Sequence, residues 1–264
     1  GFVDPGAEST VASDRLEAVF GESPIETITP VDVATYLDGR VDEKGNPAPV
    51  RANREISLLS HVINFARRRG FTDMPNPCAG VKRNKEHGRD RYVEEAEFQA
   101  IYDCADELLR DAMDLLLLTS QRPGDVIKMK RTDVVDGHVH VRQGKTGTKL
   151  RIRLEGDLAA VVERMQGRKR QATGVYLVQD DNGQPLTYWQ LEDRFSTARA
   201  AAAKELPAVG DIQMRDLRGK AATDLEDLAH AQALLGHKSR TMTEHYVKKR
   251  AGERVSPLKR KKVD

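Results

Sequence analysis

Apolar side chains recur at helical spacing through most of this chain and at alternate positions in one short stretch. In Thr29-Pro30-Val31-Asp32 a hydroxyl cap precedes Pro in the first helical position, which predicts a short helix over Asp32–Leu37. Lys44-Gly45-Asn46-Pro47 then breaks the chain. From Asn53 onward, Ile56, Leu59, Val62, Ile63 and Ala66 form one apolar stripe of a second helix. Arg67, Arg68 and Arg69 fill its last turn before Gly70, where the helix dipole favours cations. Met74-Pro75-Asn76-Pro77 closes the region.

The stretch from Val81 to Tyr92 has no apolar periodicity and contains Lys82, Arg83, Lys85, Arg89 and Arg91. It reads as an exposed basic linker and marks a domain boundary. Past it, helices are expected over Glu94–Cys104 and Glu107–Leu118. Asp136-Gly137 is a hairpin turn signal, followed by a strand over His138–Arg142. Lys149 to Leu154 alternates strictly, so Leu150, Ile152 and Leu154 face a core while Lys149, Arg151 and Arg153 face outward. Gly144-Lys145-Thr146-Gly147 joins the two strands and puts Lys145 at a hairpin tip. A further short strand is expected at Val175–Val178. Helical patterns resume at Thr187–Lys204, Ile212–Leu225, Leu228–Leu235 and Thr241–Lys248. The fold class is therefore mainly α with a small antiparallel β-sheet: a helical domain over 1–80, a basic linker over 81–92, and an α+β domain over 93–264.

Charge sharpens this picture. The net charge of +2 hides an uneven distribution. Residues 1–50 carry 10 acidic and 3 basic side chains, whereas residues 51–92 carry 10 basic and 4 acidic ones. The tail from Lys248 to Asp264 carries 8 basic and 2 acidic ones and includes Lys259-Arg260-Lys261-Lys262. Local basic blocks fit a polyphosphate partner. Two isolated cysteines, Cys78 and Cys104, offer neither a disulfide framework nor metal-ligand spacing, which fits a reducing cytoplasm. Apolar runs such as Leu115–Leu118 are far too short for a membrane span. The chain opens without Met, as expected of a fragment or processed product.

Five segments could carry chemistry. Thr119-Ser120-Gln121-Arg122-Pro123-Gly124-Asp125 sets Arg122 at a helix start, with Asp125 placed to hold its guanidinium. Lys145, flanked by glycines, could approach a backbone and deliver a proton. Arg215-Asp216-Leu217-Arg218 spaces two guanidinium forks, which suit phosphate oxygens, on one helical face. In Leu234-Leu235-Gly236-His237, the glycine caps a helix and His237 follows. Thr243-Glu244-His245-Tyr246-Val247 holds a tyrosine. Taken singly each has a plain structural reading: an Arg–Asp pair, a solvated turn lysine, arginines paired with Asp211 and Asp224, a capping histidine, a core tyrosine.

Taken together, their order and spacing resemble the tyrosine recombinase family, the phage-type integrases and their relatives. The family's first Arg corresponds to Arg122, with Asp125 at the acidic position. Its hairpin Lys corresponds to Lys145, its second Arg to Arg218, its Leu-Gly-His to Leu235-Gly236-His237, and its Tyr to Tyr246, nine residues beyond His237. One departure is Arg215, which stands where the family carries His and, unlike His, cannot shuttle a proton near neutral pH.

The resemblance implies site-specific DNA recombination through a 3′-phosphotyrosyl intermediate, with Tyr246 as nucleophile and Lys145 as acid. Arg122, Arg218, Arg215 and His237 would bind the phosphate, with no cofactor or metal. It also implies double-stranded DNA attachment sites, a homotetramer on DNA, accessory DNA-bending or directionality factors, and a location in the bacterial cytoplasm at the nucleoid. The first domain would be a core-type DNA-binding domain, with an N-terminal arm-binding domain removed. Its DNA contacts are expected at Arg67, Arg68, Arg69, Lys82, Arg83, Lys85, Arg89 and Arg91, joined by Lys149 in the second domain. A type IB topoisomerase-like enzyme and a non-catalytic DNA-binding protein remain open on the same scaffold.

Overall fold

The computed structural model describes residues 14–167, 174–180, 182–225 and 227–247. The chain divides between Arg89 and Asp90 into two compact units. The fold is mainly α with one small antiparallel sheet. No helix among the described residues is long and apolar enough to cross a membrane. The basic tail from Lys248 onward, and with it the expected end of the last helix, lies outside the described residues.

Among its described residues the first unit has three α-helices: α1 over 14–20, α2 (Pro30–Gly39) and α3 (Pro49–Arg68). Thr29 opens α2 with a reciprocal cap, its hydroxyl accepting from Asp32 N while the Asp32 carboxylate accepts from Thr29 N at 2.8 Å. The helix runs beyond the expected Asp32–Leu37 at both ends. Val33 and Leu37 of α2 pack on Ala52, Ile56, Leu59 and Ile63 of α3, together with Leu16, Phe20 and Ile28. Val62, expected on that stripe, is exposed instead.

The segment expected as a free basic linker is tied down. Asn53 on α3 donates to Asn84 O (2.8 Å), and its own side-chain oxygen accepts from Asn84 N (3.0 Å). Asn84 also donates to Leu37 O at 2.8 Å. Two asparagines thus replace a missing hydrophobic anchor, which explains why apolar periodicity says nothing there.

In the second unit, α5 (Glu107–Thr119) is the central helix. It packs against α4 (Glu95–Asp103), α7 (Gly156–Gly167), α8 (Tyr188–Ala202) and α9 (Asp216–Asp224). Leu109, Ala112, Met113, Leu115 and Leu116 of α5 are fully buried. Truncating one such leucine to alanine costs about 2–5 kcal/mol. Short helices α6 (Pro123–Val126), α10 (Leu228–Leu235) and α11 (Arg240–Glu244) carry the segments singled out from sequence. Helix α7 was not expected, and the strand expected at Val175–Val178 is only an isolated bridge from Tyr176 to Lys130.

The sheet has the order β1 (Val134–Val135), β2 (His138–Arg142), β3 (Lys149–Arg153), all antiparallel. Asp136 and Gly137 both adopt positive φ (50° and 69°), the conformation of a tight hairpin turn. Val139 pairs with Ile152 and Val141 with Leu150, which lays the apolar face on the core. The opposite face pairs His138 with Arg153, His140 with Arg151 and Arg142 with Lys149.

Candidate active site

The site is assembled where α5 ends. The helix stops because Ser120 turns into the left-handed region (φ 53°), a conformation costly to any residue with a β-carbon. That turn frees the Ser120 carbonyl to accept a hydrogen bond from Arg218 Nη1 on α9. It also brings Arg122 to the residue before α6.

Arg218 is 2% exposed. Its Nη2 donates to Leu235 O at 2.8 Å and lies 3.4 Å from His237 Nε2. No carboxylate pairs with it among the described residues, and its Nε is buried without a partner. Burial first, and Arg122 second, pull this guanidinium down to about 10, partly offset by Tyr246 and Asp125. It stays protonated at neutral pH. Leaving a buried cation unneutralised is costly unless a ligand completes it.

His237 follows α10, whose end is set by Gly236 in the left-handed region (φ 66°). The imidazole is buried, with Nδ1 3.1 Å from Thr243 Oγ1. Because Nε2 faces an arginine donor, the consistent tautomer carries its proton on Nδ1, toward Thr243. Burial, then Arg218 and Arg122, push His237 down to about 4, so the ring is neutral at pH 7.

Tyr246 completes the group just past α11. Its ring centroid lies 5.0 Å from that of His237 and 5.4 Å from Arg218 Cζ. Arg122 joins through Gln143, whose Oε1 accepts from Arg122 Nη1 at 3.3 Å. Asp125 Oδ2 lies 3.8 Å from the same Nη1.

The two remaining expected site residues stand apart. Lys145 sits exposed on the hairpin tip with no partner among the described residues. Arg215 is the N-cap residue of α9 and is exposed, whereas Arg218 within the helix is buried; Asp216 accepts from Gln213 N at 2.9 Å where the helix starts. Asp211 and Asp224, the carboxylates available to these arginines on sequence grounds, are engaged by Arg91 and Lys220.

Of the residues expected to face DNA, Arg67, Arg68, Arg69, Lys82, Lys85 and Lys149 are exposed, while Arg83 and Arg89 are half-buried. Arg91 is a correction. Its guanidinium pairs with Glu97 (2.6 and 3.0 Å) and Asp211 (3.1 Å), and donates to Ala208 O (3.0 Å). It is a strut inside the second unit with no fork left for a phosphate. Sequence reasoning put Arg151 and Arg153 on the outward face with Lys149 but did not name them as DNA contacts, and it missed Arg142, which pairs with Lys149 on that face of the hairpin. None of these four side chains has a hydrogen bond or ion pair among the described residues. Their alternation with Leu150 and Ile152 was the available signal.

Comparison with known proteins adds an independent line. Residues 91–253 match the model of the Phage integrase family. The integrase of Enterobacteria phage 434 is 32% identical over 236 residues, covering 85% of this chain and 65% of its own length. The chain thus spans just under two thirds of that relative. A solved lambda integrase fragment (residues 75–356), a dimer bound to a COC′ core site, superposes with a TM-score of 0.78 at 26% identity. The match covers 97% of this chain and 92% of that one. A lambda integrase tetramer bound to a Holliday junction gives a TM-score of 0.76 at 25% identity, covering 96% and 74%.

Proposed function

The chain belongs to the phage integrase family, and on that premise we propose that it cleaves and rejoins DNA strands, with Tyr246 as the nucleophile. The observation that carries this reading is Arg218: a buried guanidinium without a carboxylate, its Nε unpartnered, beside Arg122, His237 and Tyr246. A phosphodiester is the anion that two guanidinium forks suit.

In the proposed step, Tyr246 Oη attacks phosphorus, forming the Oη–P bond as the P–O5′ bond breaks. Arg122 and Arg218 hold the non-bridging oxygens as charge builds on them. His237, neutral beside the tyrosine ring, takes the phenolic proton. The bound phosphate offsets the charge of the two arginines, which weigh on His237 after burial does. Lys145 protonates the departing O5′ oxygen, and a second 5′ hydroxyl reverses the sequence. Arg215, exposed at the mouth of α9, adds a phosphate contact and moves no proton.

The outer face of the β2–β3 hairpin supports DNA as the substrate. Like charges directly opposite across strands destabilise a sheet, and Arg142 faces Lys149. A phosphate backbone relieves that repulsion and lies where Lys145 projects. By the same reading, the first unit's Arg67, Arg68, Arg69, Lys82 and Lys85 contact core-site DNA, and the protein works as a tetramer with accessory bending factors at the bacterial nucleoid.

Covalent trapping on a nicked suicide duplex tests the proposal. The unaltered protein is expected to accumulate a DNA adduct that resists denaturation, and Tyr246→Phe none. Equal trapping by both overturns the nucleophile assignment.

A further inference from the structure

Gln143 directly follows β2 and is 1% exposed, yet every hydrogen-bonding position of its amide is filled. Nε2 donates to Gln121 Oε1 (2.8 Å) and to Leu235 O (2.9 Å). Oε1 accepts from Thr146 Oγ1 (2.8 Å) and from Arg122 Nη1 (3.3 Å). A primary amide has two donors and two lone pairs, so the group is saturated and its orientation fixed. Exchanging its oxygen and nitrogen would set N–H groups against an arginine and acceptors against carbonyls.

Those four partners belong to three parts of the site. Gln121 and Arg122 lie on the turn after α5, and Leu235 O stands just before Gly236-His237. The same Leu235 oxygen accepts from Arg218 Nη2. A β-carbon on Gly236 would meet Gln143 Nε2 at 2.8 Å, so the capping turn is fitted against this one amide. Thr146 is next to Lys145 at the hairpin tip. Gly144 N, on the other side of Lys145, donates to Asp125 Oδ1 at 2.8 Å.

We infer that Gln143 is a positioning residue that locks the β2–β3 hairpin tip onto the arginine–histidine cluster, so that Lys145 and Arg122 address one phosphate. The inference rests on the reading of Lys145 as the acid that protonates the leaving oxygen. Of the two bonds to Oε1, the one to the hairpin is shorter, and Arg122 keeps Asp125 as a second partner. Loss of the amide therefore falls chiefly on proton delivery. A long buried amide suits this work because it satisfies donors and acceptors at once without adding charge beside two arginines.

The test compares suicide substrates with oxygen or sulfur at the bridging 5′ position. A sulfur leaving group departs as thiolate when the P–S bond breaks and needs no proton, so loss of the acid matters little. On the oxygen substrate, Gln143→Met is expected to slow single-turnover cleavage about 10²-fold, the worth of general acid catalysis, with DNA affinity within about twofold. Thr146→Val, which deletes one neutral hydrogen bond at an exposed turn, is expected to lose about three- to tenfold and covers the case in which Gln143→Met fails to fold. Both, like Lys145→Ala, should recover most of their rate on the sulfur substrate. Rescue of Lys145→Ala alone overturns the role given to Gln143 and leaves the acid assignment intact. Failure to rescue any of the three overturns the acid assignment, and the inference with it.

Discussion

Two cations lie buried two residues apart on α9, and the protein treats them in opposite ways. Lys220, 1% exposed, is fully answered. Its Nζ pairs with Glu95 at 2.8 Å and Asp224 at 2.9 Å, and sits 5.5 Å from the centre of the Tyr92 ring. Tyr92 in turn donates to Asp224 at 2.6 Å. Burial works against this ammonium, but the two carboxylates hold it above its ordinary value. Arg218 has carbonyls, a histidine and a second arginine around it, and is lowered. The same depth of burial thus serves two ends. A neutralised charge fixes the fold, pinning the start of the second unit to α9, while an unneutralised one is held ready for an anion.

The largest test of that contrast exchanges each cation for methionine. Arg218→Met is expected to lower covalent trapping by about 10²–10³-fold, the usual worth of one preorganised donor to a developing oxyanion. Its effect on thermal stability should be small, because an uncompensated buried charge leaves with it. Lys220→Met is expected to do the reverse. It should lose about 1–3 kcal/mol of stability, less than a fully buried pair, because Glu95 is largely exposed, and trap DNA normally once folded. Chemical denaturation and trapping on the same samples read both axes. A matching pattern in the two variants would erase the distinction.

Acid titration sharpens the contrast from the His237 side. This imidazole is held at about 4 by burial, Arg218 and Arg122, against 6.5 in an unfolded chain. Above pH 6.5 both states are neutral. Between 6.5 and 4 the unfolded chain takes up a proton that the folded one refuses, so stability falls as pH drops through that window and levels off below it. The contribution is at most about 3 kcal/mol. Thermal unfolding of the DNA-free protein across this range should show a shallower slope in His237→Gln. An unchanged slope would mean that the fold does not hold His237 neutral.

The smallest expected effect is at Ser120. It adopts φ 53° to aim its carbonyl at Arg218, and its hydroxyl is buried without a partner. Ser120→Gly removes both penalties and should gain about 1 kcal/mol with trapping unchanged. A loss of stability would show that the turn is not strained.

The sequence is informative where one local rule governs a residue. Alternation in β3 fixed which side chains face the core, and Gly236 marked the end of α10. Tyr246 was legible only through its offset from His237. The rules failed where one element's geometry depends on another. The stretch from Gly156 to Gly167 begins at φ 55°, so a glycine that ordinarily signals a turn opens a helix there. Arg215 and Arg218 are three positions apart, yet Arg215 caps α9 exposed while Arg218 is buried within it, a difference that spacing alone does not show. Gln121 and Gln143 drew no reading from the sequence because nothing local shows that each completes the other. Arg91 looked like a DNA contact because, besides nearby Glu97, the partners that use up its guanidinium, Asp211 and Ala208, lie more than a hundred positions away.

The central claim is that Tyr246 forms the covalent bond within this cluster. Peptide mapping of the trapped adduct by mass spectrometry tests it most directly. The account predicts a nucleotide remnant on the peptide containing Tyr246, and none on that peptide with Arg218→Met. A remnant on any other residue, or undiminished modification of Tyr246 without Arg218, would contradict it.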